Sequence, residues 1–381
     1  MLAVVIILVA GVVTWDLTHQ SIPAGGVDAP VGVEAADGWM ATLDDRGDSS
    51  LLIVHDLSDV DSEIDVAQPI LDSNSTWDVM GNSLIIANNT TLMVINLDNP
   101  DTPEATLDVD NPTDIQFVSE DCFAVLEDGL MSYYSYDGEE KIGPNPQQGD
   151  SVLLFESYKA QIALVFASEP DIVHLGIVDG EGLISLEVNA TGDPNEDEIL
   201  VAADLNVDIE NATITDISLS QTKLAATVDI NATSRLVLLD TITGESQIIS
   251  DHKFAAFDPH IDYGILMFSA YTDVNPLEAS EEYSDREIYI HDFSTNLTKP
   301  LTADDLDQWG PVVLEDHYVY QQIDSEGVIS VEVQPKEPTL QSYSSNILKF
   351  GVILVICLAL INIMQRQREA NSNPHDSELA S

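Results

Sequence analysis

The feature that most limits what this chain can fold into is a recurring seven-residue unit. Strand-favouring residues run into Asp, Asn or Glu and then a turn. The clearest copies are Leu52-Ile53-Val54-His55-Asp56-Leu57-Ser58, Leu92-Met93-Val94-Ile95-Asn96-Leu97-Asp98 and Ile288-Tyr289-Ile290-His291-Asp292-Phe293-Ser294. Looser copies are 131–137, 183–189, 236–242 and 328–334. The copies start at 52, 92, 131, 183, 236, 288 and 328, so neighbouring copies are 40, 39, 52, 53, 52 and 40 residues apart. A period near 40 built from short strands marks a β-propeller, one four-stranded blade per repeat. The physical cause is burial, because a blade has apolar faces that only a neighbouring blade can cover. The Val, Ile, Leu, Tyr and Phe of these runs suit a pleated, packed surface. The competing all-β architecture is a tandem array of sandwiches. The shared register of the copies favours an all-β, seven-bladed propeller.

Residues 286–320 form the most complete unit. They run from Ile288–Ser294 through Leu301-Thr302-Ala303-Asp304 and Gln308-Trp309-Gly310-Pro311 to Tyr318-Val319-Tyr320. This stretch resembles the TolB-like, WD40-related blades of bacterial and archaeal cell-surface propellers, and 252–269 resembles the adjoining inner strand pair. The first two copies, with Asp59-Val60-Asp61 and Asn99-Pro100-Asp101-Thr102-Pro103 after the strand, resemble the related LVIVD-type repeat. The resemblance covers about a quarter of the chain and implies a fold more than an activity.

Composition narrows the partners. The 381 residues carry 67 acidic and 12 basic side chains, a net charge of −55. Nucleic acid is excluded as a partner, since phosphate binding needs clustered Lys and Arg. Disorder is excluded too, because 44% of the residues are hydrophobic and they are patterned. The acids are spread along the whole chain, which points to solubility in a salty medium more than to dedicated cation loops. One loop does approach a calcium pattern: Asp193, Asn195, Asp197 and Asp204 fall at positions 1, 3, 5 and 12. Glu198 replaces the turn glycine, and Asp204 is shorter than the usual Glu, so no cofactor is expected, Ca2+ is the one candidate, and a solvated acidic insertion is the simpler reading.

The ends suggest export and anchoring. Residues 1–13 are apolar but too short to span a bilayer, so 1–20 read as a signal peptide or N-terminal anchor. Residues 346–364, NILKFGVILVICLALINIM, are long enough to cross, and Arg366 and Arg368 follow at once. The expected order is a propeller ectodomain over 28–336, a stalk over 337–345, a transmembrane helix over 346–364 and a cytoplasmic tail over 365–381. That is a single-pass membrane protein with its propeller outside. Seven Asn-X-Ser/Thr sequons, at Asn74, Asn88, Asn89, Asn189, Asn211, Asn231 and Asn296, would then be available to glycan. The last strand of the seventh blade must come from residues 337–344 or from the segment before Pro30.

Chemistry is sparse. There is no GxSxG, HExxH, P-loop or paired-Cys motif. Cys122 and Cys357 lie in different segments and do not staple the fold. His55 and His291 share one repeat position, which points to a structural role. His252, His260 and His317 would approach the ring axis if they lay on inner strands, and some TolB-like lyases bind a metal through His there. The expected function is therefore non-catalytic binding or scaffolding at the cell envelope, with an envelope protein or polysaccharide as partner. The alternatives are a metal-dependent lyase or hydrolase, and a calcium-stabilised structural component.

Overall fold

A computed structural model describes residues 20–23 and, between 33 and 336, all except 46–49, 58, 67–70, 72–74, 120–121, 137, 139, 142–150, 160, 179–183, 186–211, 231–232, 251–254, 272–285, 305 and 324–326. The chain divides into two compact units, residues 1–334 and 335–381. The second lies almost wholly outside the described residues.

The first unit is a seven-bladed propeller of seven four-stranded sheets. Blade I holds β2 (Val33–Ala36), β3 (Trp39–Asp45), β4 (Ser50–Asp56) and β5 (Asp59–Val66). Blade II holds β6 (Thr76–Met80), β7 (Ser83–Ala87), β8 (Thr91–Asn96) and β9 (Ala105–Asp108). Blade III holds β10 (Pro112–Ser119), β11 (Cys122–Glu127), β12 (Leu130–Ser135) and β13 (Glu140–Lys141). Blade IV holds β14 (Val152–Tyr158), β15 (Gln161–Phe166), β16 (Glu169–Val178) and β17 (Ile184–Ser185). Blade V holds β18 (Thr213–Leu219), β19 (Lys223–Ile230), β20 (Thr233–Asp240) and β21 (Ser246–Ile248). Blade VI holds β22 (Ala256–Asp262), β23 (Ile265–Tyr271), β24 (Arg286–Asp292) and β25 (Leu297–Pro300). Blade VII holds β26 (Asp307–Val313), β27 (His317–Ile323) and β28 (Ile329–Pro335), and its fourth strand is β1 (Gln20–Pro23).

The closure is thus made by the segment before Pro30. β1 runs antiparallel to β28, with Gln20 opposite Val333 and Pro23 opposite Ser330. The first and last described strands share a sheet, so the ring is sealed by backbone pairing between the two ends of the propeller.

The core sits between blades, one apolar cluster at each junction. Ala41, Leu52 and Val54 of blade I meet Trp77, Leu84 and Ile86 of blade II. Ile85 and Val94 meet Phe117 and Phe123 of blade III. Tyr133 meets Phe155 and Ile162. Ala163 and Val173 meet Ile214 and Leu224. Leu236 and Leu238 meet Phe268 and Leu266. Met267 and Ile290 meet Val313 and Tyr320. Val319 and Val331 of blade VII meet Val33 and Met40 of blade I, which closes the circle. Strand β7 shows why the fold needs neighbours. Its Leu84 and Ile86 pack towards blade I while Ile85 and Ala87 pack towards blade III. A strand buried on both faces reads as a continuous apolar run, here Leu84-Ile85-Ile86-Ala87, all fully buried. Leu84, Ile85 and Ile86 each contribute about 1.5–3 kcal/mol when taken out of water.

Six of the seven repeat copies fall on or at the third strand of their blade: β4, β8, β12, β20, β24 and β28. The copy at 183–189 does not. It meets the short outer strand β17, while the third strand of blade IV is the earlier β16. The long interval before that copy arises from this shift, whereas the one after it would be longer still if measured from β16.

Candidate functional site: an axial channel lined with carboxylates

The inner strands β2, β6, β10, β14, β18, β22 and β26 surround an axial cavity of about 420 Å³. Blades I to VI each place a carboxylate on its wall, Glu34, Asp78, Asp114, Glu156, Asp216 and Asp258, and blades I and VI add Asp37 and Asp262 at one mouth. Blade VII has Gly310 there instead.

Local backbone geometry explains several of these positions. Asp114 and Asp216 follow shifts in register between the first and second strands of their blades. Asp258 and Gly310 lie inside such shifts, between Phe257 and His260 and between Trp309 and Val312. Each is followed by proline, and each has a left-handed backbone, φ 49° and 56°. They are equivalent positions of neighbouring blades. At Gly310 a Cβ would lie 2.8 Å from the Gln321 amide nitrogen, so this blade holds a buried glutamine beneath the wall rather than an acid upon it.

Inner-strand side chains also join blade to blade. Asp78 Oδ2 accepts the Phe117 N–H at 2.6 Å, and Gln116 Oε1 accepts the Ser157 N–H at 2.9 Å. Ser218 Oγ accepts the Ile261 N–H at 3.0 Å, and His260 Nδ1 accepts the Val313 N–H at 3.1 Å. At four junctions, then, an acceptor on one inner strand takes a backbone donor from the next. Such donors sit on the channel edge of each blade, where no fifth strand satisfies them.

The carboxylates repel one another and are crowded by protein although they touch the channel. Burial is the main force on each shifted group. It drives Asp78 up to about 7 against the pull of the Phe117 and Val79 N–H bonds. Burial with the neighbouring Asp78 charge takes Asp114 to about 7, although Gln116 Nε2 lies 3.3 Å from its Oδ2. Burial and Asp258 take Asp216 to about 7. Glu156 is raised well above the usual carboxylate range by burial and then by the surrounding acids, and Glu34, although its side chain is exposed to the channel, is raised in the same direction by the protein crowded around it and then by Asp78 and Asp114. The same Gln116 nitrogen lies 3.2 Å from Glu156 Oε2 and so links two of these acids.

One mouth of the channel is partly bridged. Tyr158 Oη donates to Asp262 Oδ1 at 3.1 Å, and the same oxygen accepts the Tyr263 N–H at 2.7 Å. Lys159 Nζ sits 4.9 Å from the Tyr158 ring centroid. Asp37 and Tyr263 complete this rim.

The histidines separate. His260 lies on inner strand β22 at the channel, whereas His317 begins the second strand β27, and 252 is outside the described residues. His55 and His291 are buried on third strands, with His55 Nε2 3.5 Å from Thr42 Oγ1 and His291 Nδ1 2.9 Å from Thr298 Oγ1. Burial lowers the His291 pKa. Their shared repeat position is a shared structural role. Cys122 is a buried thiol on β11.

Among the described residues no three His, Cys, Asp or Glu side chains are arranged to hold a metal ion. The calcium-like loop with Asp193, Asn195, Asp197 and Asp204 falls outside them, as do Asn74, Asn189, Asn211 and Asn231. Asn88 Oδ1 accepts the Thr90 and Thr91 N–H groups at 3.0 and 2.8 Å, which ties that side chain into its own turn. Asn89 lies in the same turn, and Asn296 is exposed with φ 53°. No helix among the described residues is long and apolar enough to cross a membrane, and segment 346–364 lies outside them.

The sequence reading missed the channel acids. Their signal was present as Asp before an apolar residue or proline in the inner strands, at Asp78-Val79, Asp114-Ile115, Asp216-Ile217 and Asp258-Pro259. It lies outside the third-strand copies that set the repeat.

No protein-family model matches the chain, and no curated protein matches it. Solved structures do. The β-propeller domain of the Trilobed protease from Pyrococcus furiosus, described as having an open velcro topology, aligns with TM-score 0.54 at 11% identity over 80% of this chain and 95% of that one. YCF48 bound to D1 peptide aligns with TM-score 0.52 at 8% identity over 84% and 97%. Human WBSCR16 aligns with TM-score 0.51 at 8% identity over 82% and 89%. At these identities the likeness establishes the fold, a β-propeller of four-stranded blades, and assigns no family.

Proposed function

We propose that this chain is an exported, acidic β-propeller held at the cell envelope by residues 346–364, where it acts as a non-catalytic binding or scaffold protein. The observation that carries the non-catalytic part is the use made of the polar groups at the channel. Ser218, His260, Gln116 and Asp78 all spend an acceptor on the inner strand of the next blade. His260 Nδ1 has a single lone pair, so the ring nitrogen engaged with Val313 is not the one that could serve as a base. A rigid ring with connections at both ends suits an envelope protein or polysaccharide as partner. The net charge of −55 favours partners that present cationic groups.

The test is protease treatment of intact cells producing the full chain, beside a version ending at residue 336. The proposal expects the anchored propeller to be degraded from outside and the shortened chain to appear in the medium. Protection of the full chain in intact cells, with cleavage only after lysis, contradicts export. Retention of the shortened chain in the membrane contradicts the role of 346–364.

A further inference from the structure

We infer that Asn296 carries an N-linked oligosaccharide, rooted where it covers the outer edge of blade VI. This rests on the export proposed above.

The acceptor sequence is Asn296-Leu297-Thr298, with no proline in its middle position. It begins at the last residue of the four-residue turn 293–296, between β24 and β25. One side chain holds that turn. Asp292 Oδ1 accepts the Ser294 N–H at 2.7 Å and the Ser294 hydroxyl at 2.6 Å. The turn then ends on Asn296 with φ 53°, a left-handed conformation that Asn tolerates better than most residues. Asn296 is exposed, and no hydrogen bond ties its side chain to another described residue. Its amide nitrogen can therefore bear a bulky group without disturbing the fold.

The other two described acceptor sites are placed differently. Asn88 and Asn89 are half-buried in the turn between β7 and β8. The segment that leads into blade III clasps this turn. The Val109 N–H reaches the Thr90 carbonyl at 3.1 Å, and the Asn111 N–H reaches the Asn89 carbonyl at 2.9 Å. A glycan on either asparagine would crowd that clasp. Turn 293–296 meets its own blade instead, through the Phe293 N–H and the Gly264 carbonyl at 3.2 Å.

Strand β25 is the outermost of blade VI. All four of its residues, Leu297–Pro300, are exposed, and Leu297 is 65% exposed. An outer strand with unpaired backbone groups and an exposed leucine invites pairing with a strand of another chain. A glycan on the residue just before Leu297 stands over this edge. It also leaves the channel open, because β25 lies three strand spacings, about 14 Å, from the inner strand β22.

The transfer joins Asn296 Nδ2 to the anomeric carbon of a sugar. It breaks the bond between that carbon and a phosphate oxygen of a lipid-linked oligosaccharide donor. The phosphate leaves with the electron pair, and Nδ2 gives up one proton.

The test isolates the full chain from the envelope of the cells that make it and reads its proteolytic peptides by mass spectrometry. The peptide holding Asn296 is expected to carry the added mass of an oligosaccharide, and the peptide holding Asn88 and Asn89 to show its sequence mass. Asn296→Asp and Asn296→Gly both suit a left-handed turn, and each should lose the added mass. Thr298→Ser keeps the acceptor pattern and should retain it. A chain that external protease reaches on intact cells, with its Asn296 peptide at sequence mass, overturns the inference and leaves export standing. Sugar found only at Asn88 or Asn89 overturns it as well. An unmodified chain protected inside intact cells overturns export and the glycan together.

Discussion

Replacing Asp216 by Asn should make the propeller more stable at pH 8 and leave it nearly unchanged at pH 4. Asp216 is shifted from 3.8 to about 7 by burial and by Asp258. Its folded-state pKa lies above its unfolded value. The stability it allows is therefore complete below about pH 4 and is lost as pH rises through about 7. Three units at 1.36 kcal/mol each set a ceiling of about 4 kcal/mol. Channel water and salt screen the charge, so the working expectation is about 1–2 kcal/mol. Asn keeps an oxygen for the bond Asp216 Oδ1 accepts from the Ile217 N–H at 2.8 Å. The local backbone should thus survive the exchange. For a domain of this size the gain corresponds to about 2–3 °C in Tm. Thermal unfolding of the two proteins at pH 4 and pH 8, in low and high salt, measures it. Asp101→Asn, on an exposed turn, controls for the change in net charge. Equal destabilisation at both pH values would refute the reasoning, as would a gain that the control reproduces.

Three further outcomes follow from the blade junctions and the closure. Arg286 grips Asp307 through Nε and Nη2 at 2.9 and 2.8 Å and lies 5.2 Å from the Trp309 ring centroid, so Arg286→Ala should cost about 2–3 kcal/mol in denaturant unfolding. Arg286→Lys should recover less than half, because an ammonium cannot form the paired contact. Gly310→Ala should cost about 1–2 kcal/mol, since φ is 56° and the new Cβ meets Gln321, and urea midpoints should show it. Removing residues 1–23 strips β1 from β28 and should lower the Tm and quicken hydrogen exchange in β28 before it does so in β7.

The sequence made the architecture legible because third strands combine an apolar run with a polar end, and that pattern repeats. It misplaced only the third strand of blade IV, for a physical reason. Strand β16 carries its apolar residues around His174 and Gly176, whereas 183–189 copies the pattern better, and its described residues Ile184 and Ser185 pair with β16 as the outer strand. The closing strand was narrowed to two segments but not chosen, since Gln20–Pro23 is short and has no alternation to mark it. The carboxylate ring was hidden for a different reason. Glu34, Asp78, Asp114, Glu156, Asp216 and Asp258 are far apart in the chain and meet only because closure brings six inner strands to one axis. Seen singly, each is one acid among 67. Gln116 is similar, because its bonds to Glu156 and Ser157 join blades III and IV.

The measurement that bears most directly on the closed ring is a cross-link between its two ends. In Gln20→Cys with Val333→Cys, the two positions face each other across an antiparallel pair, within disulfide reach. The ring predicts a disulfide under mild oxidation, seen as faster migration on a non-reducing gel and as a raised Tm that reductant abolishes. Free thiols at both positions in the folded protein, or cross-links formed only between molecules, would contradict it.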